Sequence, residues 1–541
     1  MSDHILYTIP NNEIALQYQP ESKERASTLE YLANLEKEYH KIPLRIGSDS
    51  IYTEEKGYIK PPHAHNNTIG EFTLANQNQV DEAIESSIAT QKNWSETPFE
   101  IRAKIFLKAA ELFSTKYRSK IVASTMLGQS KSIQQSETDA ACQLIDYLRF
   151  SVYYAQEIFK IQPQSNENIK NTLEYRPLEG FVYAITPFNF TSIAMNLWAA
   201  PVLMGNTCIW KPSDYQVLSA NIIAEVFEEA GLPSGVLNVI YGDPNMISNT
   251  IFNHKDFAGL HFTGSTSVFK RLWRTIGENI SRHKSYPKII GETGGKGFIL
   301  ADDSANPQAV VAAIIRGAFE FQGQKCSAAS RCYISETLWK GIKQQLIKEV
   351  KTINIGPPND TKNFVNAVIH EQAFDKIVTY IEHAKQNEAC EIISGGKYDK
   401  TTGYFIEPTI IVTQDPLYKS MTEEIFGPIV TIYIYEDNKY NEVLEIIDKS
   451  TIYGLTGAIF SQNNENIKTA SEKLINTAGN FYINDKPTGG VIGQQPFGGS
   501  RGSGTNDKAG SIFNLIQWTS PRTIKEVFLP ETNYRYPFLK I

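Results

Sequence analysis

Two periodicities divide the chain. From 80 to 159 apolar residues recur at helical spacing, as in Ile105, Phe106, Ala109, Leu112 and Phe113, so one face of these helices meets a core. From 180 to 295 short apolar runs alternate with helical patterns. Strands are predicted over 181–186, 206–211, 236–241, 260–263 and 288–291. Helices are predicted over 190–204, 216–230 and 244–252, and from Gly264 to about Ile280. Repeated β-α units of this length imply a doubly wound parallel sheet. A second α/β stretch follows, with helices near 307–321, 336–352 and 371–386 and strands at 409–413 and 429–435. A charge-rich run at 160–178 interrupts the first set and reads as a protruding ribbon. The tail from Trp518 to Phe528 alternates like a strand and is expected to pair with a partner chain.

Composition narrows the class. A chain of 541 residues exceeds one small core. Formal net charge is -7, which argues against a nucleic-acid partner. The five cysteines show no CxxC and no regular spacing, which fits a reducing compartment. The start, Met-Ser-Asp-His, lacks an apolar h-region, so a cytoplasmic location is expected. Residues 180–210 carry no Asp, Glu, Lys or Arg and are long enough to cross a bilayer. Pro187, Asn189, Asn196, Pro201, Gly205 and Asn206 break that run, so strand, buried helix and strand is the reading and no membrane is expected. His63-Ala-His65 has no third ligand nearby and reads as a surface turn, with no metal.

Ligands of a doubly wound sheet bind beyond the carboxyl ends of its strands, so the residues there are the informative ones. Thr186-Pro-Phe-Asn189-Phe190 follows the first strand and Lys211-Pro-Ser-Asp214 the second. Phe262-Thr-Gly264-Ser265-Thr266 opens a helix whose free N–H groups and dipole favour a phosphate. Lys211 with Asp214 can hold ribose hydroxyls, and the acid would repel a 2′-phosphate, favouring NAD over NADP. Each piece alone also describes an ordinary turn, and G-x-G-x-x-G is absent.

Two positions carry candidate chemistry. Cys326 sits in Gly323-Gln-Lys325-Cys326-Ser327-Ala-Ala-Ser-Arg331, where small neighbours admit a carbonyl and Lys325 and Arg331 are expected to favour the thiolate. Cys142, Cys208 and Cys390 read as small buried hydrophobes. Glu292, in Glu292-Thr-Gly-Gly295-Lys-Gly, stands among glycines that allow close approach to a substrate. A cysteine hydrolase would ordinarily pair the sulfur with a histidine; here the sequence offers Glu292.

Taken together these segments, with Glu424-Ile-Phe426-Gly-Pro and Pro496-Phe497-Gly-Gly, resemble the aldehyde dehydrogenase superfamily in order and spacing over roughly 50–530. Further runs, among them Ala478-Gly-Asn-Phe-Tyr-Ile-Asn-Asp-Lys and Ser503-Gly-Thr-Asn-Asp-Lys508, resemble the branch that oxidises the γ-semialdehyde of L-glutamate. The resemblance implies a Rossmann-type NAD-binding domain (46–163 and 181–291), an α/β catalytic domain (292–505), a β-flap for oligomerisation (164–180 and 515–541) and an N-terminal extension (1–45). It implies Cys326 as nucleophile, Glu292 as general base and the Asn189 amide as oxyanion donor. It places NAD on Thr186, Lys211, Gly264, Ser265, Thr266, Ser267, Val268, Glu424 and Phe426, to which the reading of Lys211 with Asp214 adds Asp214. It places the substrate against Phe190, Ser327, Gly489, Gly490 and Phe497, with the α-carboxylate on Ser327 and the glycine N–H groups. Glu292 as the base for water disfavours a coenzyme-A-dependent reaction. A small-molecule substrate and a homodimer or higher assembly are expected. The alternative is a dehydrogenase of another semialdehyde or an aliphatic aldehyde.

Overall fold

In the computed structural model, which describes residues 6–539, two seven-stranded sheets carry the molecule. The polar start Met1-Ser-Asp-His4 lies outside the described residues. The first sheet runs Lys288–Glu292, Phe257–Thr263, Phe181–Ile185, Cys208–Lys211, Leu237–Val239, and these five strands are parallel. Leu44–Ile46 and Asp49–Ile51 extend its edge antiparallel. Phe181, Val182, Tyr183 and Ala184 are all fully buried, the continuous apolar signature of a parallel strand covered on both faces. The helix Thr191–Leu203 is buried at every position but Ile193, so the uncharged run 180–210 is strand, core helix and strand. No described helix is long and apolar enough to cross a membrane.

The second sheet runs Cys390–Ser394, Thr409–Thr413, Ile429–Tyr435, Ala329–Ser335, Gly297–Ala301, Thr456–Phe460, Asn480–Ile483, parallel except for its first, edge strand. Three of its central strands go beyond the sequence reading. Ala329–Ser335, Gly297–Ala301 and Thr456–Phe460 are short runs of five to seven residues, whose apolar character goes with burial on both faces.

The tail strand Thr519–Val527 pairs antiparallel with Ile169–Pro177 of the same chain, in register from Thr519 opposite Pro177 to Val527 opposite Ile169. The two form a separate two-stranded ribbon that stands clear of both sheets, with most of its residues partly or fully exposed. One edge of the tail strand is therefore filled from within the chain.

The helical stretch contains an irregularity that periodicity does not show. Between the helices Ile133–Ser136 and Leu144–Phe159 the chain takes one π-helical segment, Glu137–Gln143. Such wide turns recur at functional sites, and this one holds Asp139.

Candidate active site

Cys326 lies in a turn between the helix Pro307–Phe319 and the strand Ala329–Ser335. The turn is entered through Phe321, Gln322 and Gly323, all with positive φ (51°, 56° and 65°). Two consecutive non-glycine residues in the left-handed region cost free energy, and such conformations persist where surroundings over-determine them. Here Gln322 supplies the constraint: its Nε2 donates to Ser130 O (3.0 Å) and Ala367 O (2.8 Å), and its Oε1 accepts from Asn366 N (3.0 Å). A Cβ at Gly323 would overlap the Gly427 carbonyl, so the turn has no room for another residue type.

Glu292 ends the last strand of the first sheet, and its Oε1 is 3.9 Å from Cys326 Sγ. Burial pushes the Glu292 carboxyl up to about 7, against the opposing pull of the Lys508 charge. Lys508 is aimed by two carbonyls, Gly479 O (2.7 Å) and Gly498 O (3.0 Å). Burial also pushes the Cys326 thiol well up, and the carboxylates of Glu292 and Glu424 add to that.

This corrects the expectation that Lys325 and Arg331 hold a thiolate. Lys325 Nζ pairs with Glu320 (3.1 Å), and Arg331 donates to Lys296 O (3.0 Å) and Ser450 Oγ (2.5 Å). Their charges are spent on the fold. The resting sulfur is a thiol, and the group placed to take its proton is Glu292.

Asn189 follows the strand Phe181–Ile185, and its side-chain amide donates to Gln324 O, two residues before the cysteine (3.1 Å). A clamp absent from the sequence reading fixes this turn. Lys131 Nζ, fully buried, donates to Asn189 O (2.6 Å) and pairs with Asp139 Oδ2 (2.7 Å). Asp139 accepts in turn from Thr191 N (2.8 Å), Ser192 N (2.9 Å) and Ser192 Oγ (2.7 Å). The Lys131 ammonium also lies over the rings of Phe190 (4.3 Å) and Phe321 (4.4 Å). One ion pair thus ties the Asn189–Phe190 turn to the loop leading to Cys326. No local pattern announces it, because a lysine and an aspartate eight positions apart look like surface charge.

A cleft of about 620 Å³ leads from Cys326 and Asn189 across the strand ends. Thr186, Lys211, Asp214, Gly264, Ser265, Val268, Glu424 and Phe426 line it. Ser265 caps the 13-residue helix Thr266–Glu278, its hydroxyl accepting from Val268 N (3.4 Å), so the free N–H groups of the first turn face a cleft. Thr266 and Ser267 do not line it. Thr266 Oγ1 is engaged with Tyr453 OH (3.4 Å) and Gly294 N (3.3 Å), and Ser267 is exposed. Lys211 Nζ is 3.7 Å from Asp214 at the far end. At the near end Glu424 accepts from Gly295 N (2.8 Å), an approach that needs Gly294, where a Cβ would meet the carboxylate. Thr186 Oγ1 accepts from Trp210 Nε1 (2.9 Å). An elongated cleft with an anion-binding helix end in its middle and carboxylates at both ends fits a dinucleotide carrying a diphosphate and two riboses.

The other side of Cys326 is smaller. Ser327 Oγ is 2.8 Å from Thr488 Oγ1, which brings the residue after the nucleophile against the glycine loop. Gly489 follows with φ 92°, a conformation that favours glycine, and Gly490 O accepts from Gln143 Nε2 (3.3 Å). Phe497 lines a small cavity that Glu292, Lys508 and Tyr147 also line.

The sequence profile of the aldehyde dehydrogenase family matches residues 53–524. The chain belongs to the aldehyde dehydrogenase family. Among curated relatives, the mitochondrial delta-1-pyrroline-5-carboxylate dehydrogenase of Dictyostelium discoideum is 49% identical over 533 residues, covering 98% of this chain and 96% of the relative. That of Homo sapiens is 42% identical over 530 residues, covering 98% and 94%. Among solved structures, the Delta-pyrroline-5-carboxylate dehydrogenase from Mycobacterium tuberculosis bound with NAD superposes with a TM-score of 0.97 at 44% identity, covering both chains completely. As an aldehyde dehydrogenase, the chain presents a cysteine–carboxylate pair at the inner end of a dinucleotide-shaped cleft.

Proposed function

We propose that this chain oxidises L-glutamate 5-semialdehyde, the open form of L-1-pyrroline-5-carboxylate, to L-glutamate with NAD and water. This reaction completes the breakdown of proline to glutamate. The observation that carries it is the placement of Cys326 between two unlike compartments. One is the nucleotide cleft; on the other side the Ser327 hydroxyl meets that of Thr488, next to Gly489 and Gly490, and these are the groups we assign to the substrate.

The mechanism follows from the residues. Glu292, ionised, takes the Cys326 proton, and the sulfur adds to the aldehyde carbon. The oxyanion that forms is stabilised by the Asn189 amide and the Cys326 N–H. NAD, when bound, supplies the hydride acceptor, and a thioester on Cys326 remains. Glu292 releases that first proton to solvent and then takes one from the hydrolytic water, which attacks the thioester carbon; the C–S bond breaks, Glu292 returns its proton to the sulfur, and glutamate leaves as the carboxylate. Lys211, Asp214, Gly264, Ser265 and Val268 would hold the nucleotide's outer half, and Glu424 and Phe426 the nicotinamide end. Backbone N–H groups at Thr266 and Ser267 would contribute to the diphosphate, their side chains turning elsewhere. Asp214 in the ribose region opposes a 2′-phosphate. Ser327 and the N–H groups of Gly489 and Gly490 would hold the substrate's α-carboxylate, with Phe190 and Phe497 beside its aliphatic chain.

We take the first sheet as the NAD-binding part, the second as the catalytic part, and the ribbon of Ile169–Pro177 with Thr519–Val527 as the oligomerisation flap. The ribbon leaves Ile524, Val527, Phe528 and Leu529 exposed, a side-chain surface that a second copy would cover in a homodimer or larger assembly. The cytoplasm is the compartment proposed from composition; relatives named mitochondrial make cell fractionation the deciding measurement.

The test is NADH formation with NAD and L-1-pyrroline-5-carboxylate, beside succinate semialdehyde and propanal. Strong preference for the first is expected. Preference for propanal would keep the Cys326 chemistry and discard the carboxylate anchor.

A further inference from the structure

The N-terminal segment, unassigned by the sequence reading, is bound to the substrate side of the site. Residues 6–19 have no regular secondary structure, yet they are hydrogen-bonded along their length. Tyr7 exchanges two bonds with the Gln156 side chain (2.7 and 3.0 Å). Glu13 pairs with Arg118 (2.6 Å) and Arg149 (2.7 Å). Leu16 N (3.0 Å) and Tyr18 OH (2.7 Å) both donate to the buried Glu137, which opens the π-helical segment.

Asn12 is the point where this strap meets the glycine loop. Its Nδ2 donates to Ile492 O (2.8 Å) and to Asp146 Oδ2 (2.8 Å), and its Oδ1 accepts from Gln494 Nε2 (2.9 Å). Glu13 N holds the other oxygen of Asp146 (2.8 Å). Ile492 and Gln494 lie two and four residues beyond Gly490 in the same loop, which reaches Ser327 through Thr488. The loop otherwise contains little regular structure to hold it, so its position is set by such contacts from outside.

We propose that Asn12 is a positioning residue for substrate specificity: by bridging Asp146 and Ile492 O it holds the Gly489–Gly490 backbone where the substrate carboxylate binds. The proposal rests on the reading that these glycines anchor that carboxylate. Asn12 does not touch the reacting atoms or the nucleotide cleft. It therefore affects the affinity of carboxylated ligands and leaves the sulfur chemistry alone.

The experiment compares wild type, Asn12→Ala and Asn12→Asp in the full chain. The aspartate keeps the shape and loses both donated bonds. For each, KM and kcat are measured with L-1-pyrroline-5-carboxylate and with propanal, Kd for L-glutamate by calorimetry, and Tm. Losing one or two net hydrogen bonds that order the loop is expected to raise KM for the first substrate and Kd for glutamate about tenfold. The parameters for propanal and the kcat for both should stay within about twofold of wild type, a split that general loosening of the fold would not produce. Equal losses with both aldehydes, or unchanged glutamate affinity in both variants, would overturn the proposal. Gln494→Ala, which removes only the outer bond, gives a smaller rise in the same KM and serves if Asn12→Ala does not fold. A wild type without preference for the carboxylated aldehyde would overturn the anchoring reading, and the role of Asn12 with it; a preference lost only in the variants separates the two.

Discussion

Replacing Glu292 by Gln keeps the size of the side chain and removes the base. The geometry sets the size of the effect. Glu292 Oε1 is 3.9 Å from a thiol that burial has pushed up, which makes it the carboxylate in contact with the sulfur, while Glu424 is held by Gly295 N. A positioned general base contributes about 10²–10⁴-fold, and that loss in kcat is expected for Glu292→Gln. The pH dependence is a second part of the same prediction. Moving a carboxyl from 4.5 to about 7 corresponds to roughly 3 kcal/mol against its charged form. The base acts ionised, so activity is present above about 7 and is lost as pH falls through it. One unit below the midpoint about a tenth of the base is ionised, and one unit above it about nine tenths. Lys508 pulls the carboxyl down, so Lys508→Met moves the midpoint upward and lowers activity near neutrality. Tyr147, in the same cavity, is neutral throughout this range, and Cys326 titrates well above it. The assay is steady-state NADH formation from pH 5.5 to 9 with quenched-flow measurement of the first turnover. A wild-type kcat flat across neutrality, or Glu292→Gln within about tenfold of wild type, would refute the assignment of Glu292 as the base.

Three further outcomes follow from the packing. Cys326→Ala should form no NADH while its Tm stays near wild type, because the change removes one sulfur from a small buried side chain; residual dehydrogenase turnover would count against the nucleophile. Lys131→Met leaves Asp139 buried without its cation, a break that costs about 3–5 kcal/mol, so both Tm by calorimetry and kcat should fall; an unchanged kcat would show that the Asn189 turn holds itself. Gly295→Ala should abolish turnover while NAD still binds, since a Cβ there would overlap the Cys326 carbonyl and displace the nucleophile; normal single-turnover rates would contradict that.

Much of the site is legible in the sequence because its parts are contiguous turns at strand ends. The first sheet's β-α alternation, Asn189 after one strand, Gly264-Ser265 at a helix start and Glu292 after another strand are local features, and local sterics and hydrogen bonding dictate them. The uncharged run 180–210 could be read as a buried strand and helix because its Pro, Gly and Asn breaks are local too. What depends on which distant groups meet was decided by tertiary structure. Lys325 and Arg331 stand beside Cys326 in sequence, yet a buried cation goes to the partner that satisfies it, here Glu320 and the Lys296 carbonyl, and the thiol is left to Glu292. The tail strand found its partner at 169–177 within the chain. Lys131 with Asp139, and Asn12 with Asp146 and Ile492, bring together residues whose spacing carries no periodic signal. A side chain's local preferences are written in its neighbours along the chain, whereas its charge partner and its burial are properties of the folded whole.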